Sequence, residues 1–438
     1  MPAPIQPPRR PQRPARSAIG VDARRAALAL IDAALSRRGG MEAAESAVLA
    51  GLDGRDRGFA RALALATLRW LGPIDRVLGQ RMRKPPPGPV FDLLRIGAAQ
   101  MLALDTPAHA AVSTTLALAQ TEQATRPFVK LMNAVLRGID RERPDTAPPD
   151  FVPEWLMARW RAAYGDVANA IAARVREEPP TDLSLRDPTE AGALADALEG
   201  VVLPGGTVRT PMRGDISAWP GFAEGGWWVQ DAAAAIPARL LNVQPGDAVL
   251  DLCAAPGGKT MQLAAAGAGV IALDRSPDRL ERLKDNLNRT GLTAETVAAD
   301  AAGWSDPRTF DAVLLDAPCS STGTFRRHPD VLWTCKPSDI ASLVAAQARL
   351  LDAAAAKLKP RGRLVYCVCS LEPEEGEGQV QPFLSRHGDM ALDPIHSGEG
   401  GAPAEALLPN GALRLHPGLA EPTGGLDGFF IARFKRAR

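Results

Sequence analysis

Ala248-Val-Leu-Asp-Leu-Cys-Ala-Ala-Pro-Gly-Gly-Lys-Thr260 is the stretch that decides the fold. An apolar run, 248–253, stops at a glycine-rich turn. Residues 260–266 then supply a crossover helix, and 269–273 form a second apolar run. Gly257 and Gly258 allow the backbone to turn tightly and to approach a ligand, at a helix start whose N–H groups point outward. Downstream, Ser276 can cap a helix, Pro277 fits its first position, Leu280, Leu283 and Leu287 form its apolar face, and Gly291 ends it. Further strands are predicted over 294–299, 310–315, 363–369 and 429–434. Strands alternating with helices require a mostly parallel, doubly wound sheet that places ligands beyond the carboxyl ends of its strands.

Working outward, the chain is long enough, at 438 residues, for two to four domains. Residues 1–20, with Arg9, Arg10, Arg13 and Arg16 among prolines, cannot bury a core and read as a basic tail. Over 21–145 the pattern is helical: Leu28, Ile31 and Leu35 repeat at i, i+3, i+7, as do Phe59, Leu63, Ala66 and Trp70 on a second segment. Pro144, Pro148, Pro149 and Pro153 break the pattern, so 146–235 reads as a linker and small α/β connector, and 236–438 as the Rossmann-like domain. The expected architecture is thus an all-α bundle, a connector and an α/β domain.

Net charge is +1, but the sum conceals an asymmetry. Residues 1–145 carry 22 Lys/Arg against 13 Asp/Glu, a net of +9, which leaves −8 for the rest. The basic third suits a polyanion, and equally a solvated helical surface. Five cysteines, no apolar leader and no apolar run of membrane-spanning length point to a soluble protein in the reducing cytoplasm. Metal binding is not expected, because the cysteines lack paired C-x-x-C spacing and none of the five histidines completes a set.

The glycine turn excludes two familiar nucleotide motifs. A P-loop needs glycine where Cys253 stands, and G-x-G-x-x-G is absent. Asp274, ending the second strand, can accept from ribose hydroxyls, and Asp300, ending the third, from an adenine amino group. Either acid alone reads as a cap or a solvated strand end; their recurrence at successive strand ends favours an adenosine-containing ligand. Asp316-Ala-Pro-Cys319-Ser-Ser-Thr-Gly323 ends the fourth strand, and Tyr366-Cys-Val-Cys369-Ser-Leu-Glu-Pro-Glu-Glu375 the fifth. Adjacent strand ends would bring Cys319 and Cys369 into one cleft. Carbon 5 of cytosine is too weak a nucleophile to take a methyl group until a thiolate adds to carbon 6, so a reactive cysteine is what such chemistry demands. Asp316 could hydrogen-bond the ring nitrogen when protonated, or accept from the exocyclic amine when ionised. Cys367 and Cys369 share a strand face, so geometry alone leaves their roles interchangeable, while Cys253 and Cys335 read as small core hydrophobes.

These motifs resemble the Sun/NOL1/NOP2 family of RNA cytosine-5 methyltransferases, and within it the RsmB (Sun, Fmu) branch that acts on 16S ribosomal RNA. The resemblance runs from about residue 21 to the carboxyl terminus. It rests on 251–260, 315–323, Arg326-Arg-His-Pro-Asp330, Cys369-Ser370 with Pro373-Glu-Glu375, and Asp427-Gly-Phe-Phe430. The family implies that Cys253, Ala254, Ala255, Pro256, Gly257, Gly258, Lys259, Asp274, Asp300 and Asp316 hold S-adenosyl-L-methionine. It also implies that Cys369 attacks the base, that Cys319 helps release the product, and that Lys259 and Asp316 organise the site. Pro107-Ala-His-Ala-Ala-Val112 and Asn133-Ala-Val-Leu-Arg137 resemble a NusB-like RNA-binding domain, which sets the chain apart from relatives acting on tRNA. Val368 stands where the family usually has Thr, Gly376 where Asn often follows, and Thr114 where an acid is common. Arg326, Arg327 and His328 are expected to hold RNA phosphates with the helical module, the substrate being 16S ribosomal RNA, free or in an early assembly particle, and the protein a monomer. Three alternatives stand beside this reading: the same reaction on another RNA, such as tRNA; Cys319 as the nucleophile, as in enzymes resembling DNA cytosine-5 methyltransferases; and a non-catalytic assembly or antitermination adaptor.

Overall fold

In the computed structural model, residues 20–36, 40–142, 145, 148–419 and 423–437 are described. Apart from Gly20, the expected basic tail lies outside them, as does part of the proline-rich linker. The chain divides into two units, 1–145 and 146–438.

The helical periodicity of the first unit becomes seven α-helices among the described residues: Val21–Leu35, Gly40–Val48, Gly54–Arg69, Leu71–Arg81, Gly88–Leu102, Ala108–Thr121 and Val129–Arg141. Asp53 caps the third by accepting from the Asp56 amide at 2.8 Å. Leu30, Ile31, Leu63, Ile74, Leu94 and Leu136 meet in its core. One polar link crosses that core, where the Arg24 guanidinium donates twice to the Gln100 side-chain oxygen.

The second unit opens with helices Glu154–Tyr164 and Val167–Ala173, followed by a small antiparallel sheet. Its strands are β1 (Thr181–Leu185), β2 (Val201–Val202), β3 (Val208–Thr210) and β4 (Trp227–Val229), in the order β2-β3-β1-β4. Leu183, Leu198, Trp219 and Trp227 fill the core beneath it. Helix Ala232–Leu240 runs through the boundary expected at 235/236 and joins the small sheet to the larger one.

The main sheet contains β5 (Ala248–Leu252), β6 (Gly269–Asp274), β7 (Glu295–Ala298), β8 (Phe310–Asp316), β9 (Leu358–Val368), β10 (Met390–Leu392), β11 (Leu413–Leu415) and β12 (Phe429–Arg436). Its order is β10-β12-β9-β8-β5-β6-β7, with β11 also paired to β12. The five strands from β9 to β7 are parallel, as the βαβ pattern required. Strand β12 pairs antiparallel to β9, and β10 and β11 antiparallel to β12, so the sheet is mixed where a mostly parallel one was expected. Helix Pro277–Thr290 begins and ends at the predicted signals. Ser276 accepts from the Arg279 amide, and Gly291 closes the helix in the left-handed conformation.

Candidate active site

The parallel strands end together, and their end loops are sewn to one another. The Ala317 amide donates to the Cys367 carbonyl at 3.0 Å, the Gly323 amide to the Cys369 carbonyl at 3.0 Å, and the Gly428 amide to the Gly323 carbonyl at 2.8 Å. No larger residue fits the last contact: a β-carbon on Gly323 would fall 2.1 Å from the Gly428 oxygen.

The glycine turn takes the shape its residues suggest. Gly257, with φ 105°, precedes helix Gly258–Ala265. Asp274 accepts from the Ala255 amide at 3.1 Å and the Ser276 amide at 2.9 Å, and pairs with Arg279 at 3.3 Å. Arg279 also donates to the Ala255 carbonyl, and the Asn286 side chain to the Pro256 carbonyl. Asp274 is therefore a buried post for the turn. Asp300 is exposed beyond β7 and accepts from the Ala302 amide at 3.0 Å. Beneath the turn lies Asp251, fully buried. One of its oxygens accepts from the Thr260 hydroxyl at 2.6 Å, and the other has no hydrogen-bond partner. Burial pushes its carboxyl up to about 7, against the Thr260 hydroxyl and Lys259. An open acceptor under a glycine turn fits a ligand that carries amino and hydroxyl donors.

At the next strand end the Lys259 ammonium donates to Asp316 at 2.7 Å and lies 5.4 Å from the centre of the Phe429 ring. Burial opposes its charge most strongly, but Asp316 together with Cys367 and Cys369 outweighs burial and holds Lys259 protonated. The other Asp316 oxygen accepts from the Cys367 thiol at 3.4 Å. Cys367 is buried behind the acid, while Cys369 and Cys319 are partly exposed, with their sulfurs 3.4 Å apart. Ser321 stands beside both, 3.7 Å from the Cys369 sulfur and 4.0 Å from that of Cys319. The contact with Cys369 and burial together raise the Cys319 thiol well above the ordinary range. Burial and Asp316 push Cys253 up to about 12, which fits an unreactive thiol.

The sequence reading missed the clamp that holds the two cysteine loops. Glu375, buried, accepts from the Ser320 amide at 2.9 Å, from the Ser320 and Ser370 hydroxyls at 2.5 Å each, and from Gln347 at 3.1 Å. Ser320 follows Cys319 and Ser370 follows Cys369, so one carboxyl sets both thiols. Behind it, Arg159 binds Glu372 at 2.6 Å and Glu374 at 2.7 Å, and Tyr164 donates to the Leu371 carbonyl. The signal was present in the Ser that follows each cysteine, Ser320 and Ser370, and in Glu375, but their partnership needs the fold.

Arg326 and Arg327 require a correction. Arg326 is 2% exposed and donates to the Gly424 carbonyl. Arg327 binds Asp231 at 2.7 Å and Asp427 at 3.2 Å, with Asp182 at 3.6 Å. Their charge is spent inside the protein, where it ties the loop after β8 to the small sheet and to the start of β12. Of the expected RNA-binding triplet His328 alone is exposed.

Among the described residues no cluster of His, Cys, Asp and Glu could hold a metal ion, and no helix is long and apolar enough to cross a membrane.

Residues 238–435 match the family described as 16S rRNA methyltransferase RsmB/F, and residues 21–141 the NusB family. Ribosomal RNA small subunit methyltransferase B of Pseudomonas syringae pv. tomato is 36% identical over 444 residues, covering 94% of this chain and 96% of its own. The chain belongs to the RsmB/F family of methyltransferases. A second family member, ribosomal RNA small subunit methyltransferase B of Salmonella typhi, is 37% identical over 404 residues, covering 86% of this chain and 90% of its own. Among solved structures, that of PH0851 superposes with a TM-score of 0.78 at 24% identity, over 96% of this chain and 99% of that one. NSun6 from Pyrococcus horikoshii, solved with SFG, gives 0.56 at 20% identity, over 65% and 98%. Both share the fold.

Proposed function

We propose that this chain methylates carbon 5 of a cytosine in 16S ribosomal RNA, through a covalent bond between Cys369 and carbon 6. The observation that carries this reading is the pair of partly exposed cysteines, their sulfurs 3.4 Å apart, beside the Lys259–Asp316 ion pair. S-adenosylmethionine supplies the methyl group, and Cys253 to Lys259, Asp274, Asp300 and Asp316 are the residues that would hold it. The Cys369 thiolate adds to carbon 6 and pushes electron density to carbon 5, which can then accept the methyl group. Asp316, fixed by Lys259 and Cys367, accepts from the exocyclic amine and orients the ring. A base takes the carbon 5 proton, the electrons of that bond form the 5,6 double bond and expel the Cys369 thiolate, and Cys319, after giving up its own proton, would serve as that base.

RNA is held by charge and shape. Lys130 and Arg137, exposed seven residues apart on helix Val129–Arg141, and exposed Arg126 beside them offer phosphate contacts that the Arg326–Arg327 loop does not. The target cytosine is drawn out of its stack at a cost of about a few kcal/mol, least for a loop nucleotide. The protein acts as a monomer in the cytoplasm, on RNA that is free or in an early assembly particle. Bisulfite sequencing of ribosomal RNA from cells lacking this protein tests the reading. One methylcytosine in the small-subunit RNA disappears; an unchanged map rules the proposal out.

A further inference from the structure

A second cavity, of about 290 Å³, lies away from the cysteines. It opens between β1, the Gly205–Gly206 turn and the carboxyl ends of helices Ala232–Leu240 and Gly258–Ala265. Ala266, in its wall, leads directly into the start of β6, so the cavity sits where the parallel strands begin, at the opposite edge of the sheet from the cleft.

Its lining includes two arginines and no carboxylate. Arg239 donates to the Thr207 hydroxyl at 2.8 Å; Arg186, exposed and next to Asp187, donates to the Thr290 carbonyl at 3.1 Å; and among the described residues neither makes an ion pair. Burial pushes the Arg239 guanidinium down to about 10, with no acid to restore it. Beside them the Ser184 hydroxyl, 2% exposed, has no hydrogen-bond partner. A half-buried cation that forms no ion pair among the described residues and a buried hydroxyl without an acceptor each cost stability, and one anionic acceptor would satisfy both. Room for the guanidinium depends on Gly205, where a β-carbon would fall 2.6 Å from its Nη1. Two helix carboxyl ends border the cavity, and each carries about half a negative charge, which disfavours an anion. That charge is already met: the Leu240 carbonyl accepts from Arg433, and the Ala264 and Leu263 carbonyls from the Gly267 and Ala268 amides. Two full guanidinium charges therefore dominate. The volume exceeds that of a bare ion, and Leu185, Pro188 and Val243 give it an apolar wall.

We propose that this cavity binds the phosphate of a nucleotide, the Arg239 and Arg186 guanidiniums and the Ser184 hydroxyl donating to its oxygens while the apolar wall receives the sugar or base. The site is separate from the cysteine cleft and does not depend on the reaction assigned there.

Calorimetry on the full chain with inorganic phosphate, cytidine 5′-monophosphate and a tetraribonucleotide tests it. The mononucleotide or the tetranucleotide binds, and Arg239→Met and Ser184→Ala each weaken that binding at least tenfold while leaving S-adenosylmethionine affinity unchanged. Binding of the mononucleotide assigns the site to a free nucleotide; binding of the tetranucleotide alone assigns it to an RNA strand running behind the cleft. Ser184→Ala removes an unsatisfied group, so its melting temperature stays level or rises, and it remains informative if Arg239→Met folds poorly. The proposal is overturned if inorganic phosphate alone binds, if no probe binds at millimolar concentration, or if both folded variants bind like the parent.

Discussion

Replacing Glu375 separates a clamp from a mere neighbour of the cysteines. The carboxyl accepts four hydrogen bonds of 2.5–3.1 Å, but its donors differ in what they lose. The Ser320 and Ser370 hydroxyls lie 3.0 Å apart and can pair with each other, and Gln347 already donates to the Pro318 carbonyl at 3.0 Å. Among the described residues the Ser320 amide has no second partner, so Glu375→Ala strands one part-buried donor, at about 1–3 kcal/mol. The cavity left by the lost carboxyl and methylenes adds about 2 kcal/mol, for a total of about 3–5 kcal/mol. Glu375→Gln keeps the volume and one acceptor oxygen, and the hydroxyls can turn to accept from its amide, so it costs about 1–2 kcal/mol. Both changes loosen Cys319 and Cys369 together. Turnover should therefore fall about 100-fold in the alanine variant, with a much smaller change in KM for RNA. Urea unfolding followed by tryptophan fluorescence, with tritium transfer from labelled S-adenosylmethionine, measures both effects. A Glu375→Ala protein that unfolds at the parent midpoint and methylates at the parent rate would refute the reasoning.

Arg327→Met leaves Asp231 and Asp427 facing each other without their shared cation, and should cost about 3–5 kcal/mol in chemical denaturation while leaving the salt dependence of RNA binding unchanged. Lys130→Ala and Arg137→Ala should do the reverse, each lowering the slope of log affinity against log salt by about one where it removes a phosphate contact. The Asp251 carboxyl, raised to about 7, keeps its proton in the folded state at pH values where the unfolded chain, near pKa 3.9, has released it. Its contribution to stability thus falls as pH rises from about 4 to 7 and is level above that, so the stability of Asp251→Asn relative to the parent should climb over the same window in pH-resolved melting curves. Gly428→Ala brings a β-carbon 2.6 Å from Leu371 and 2.9 Å from Gly323, and should cost about 1–3 kcal/mol of overpacking and lower methyl transfer, because Leu371 lies two residues beyond Cys369.

The parallel half of the sheet was legible because its signals are local. Ser276, Pro277 and Gly291 mark a helix by their own chemistry, and alternating apolar runs give the strands between. The cysteines could be placed at strand ends for the same reason. What escaped depends on contacts distant in sequence. The antiparallel pairing of β12 with β9 joins residues 62 to 72 positions apart, and no local pattern gives its direction. Arg326 and Arg327 were misjudged because a charged residue type does not report its exposure; Asp182, Asp231 and Asp427, which bury the pair, come from three remote segments. Glu375 reads in sequence as part of a motif without a task, since its task is to join Ser320 to Ser370.

The most direct test of the central claim is the identity of the cysteine that bonds to RNA. Purified Cys319→Ala protein, incubated with S-adenosylmethionine and small-subunit RNA, should accumulate a covalent complex resistant to denaturant. After digestion, mass spectrometry should find a methylated cytidine on the peptide that contains Cys369, and Cys369→Ala should form no complex. A nucleotide attached at Cys319 in the Cys369→Ala protein, or a Cys369→Ala protein that still methylates RNA, would contradict the account.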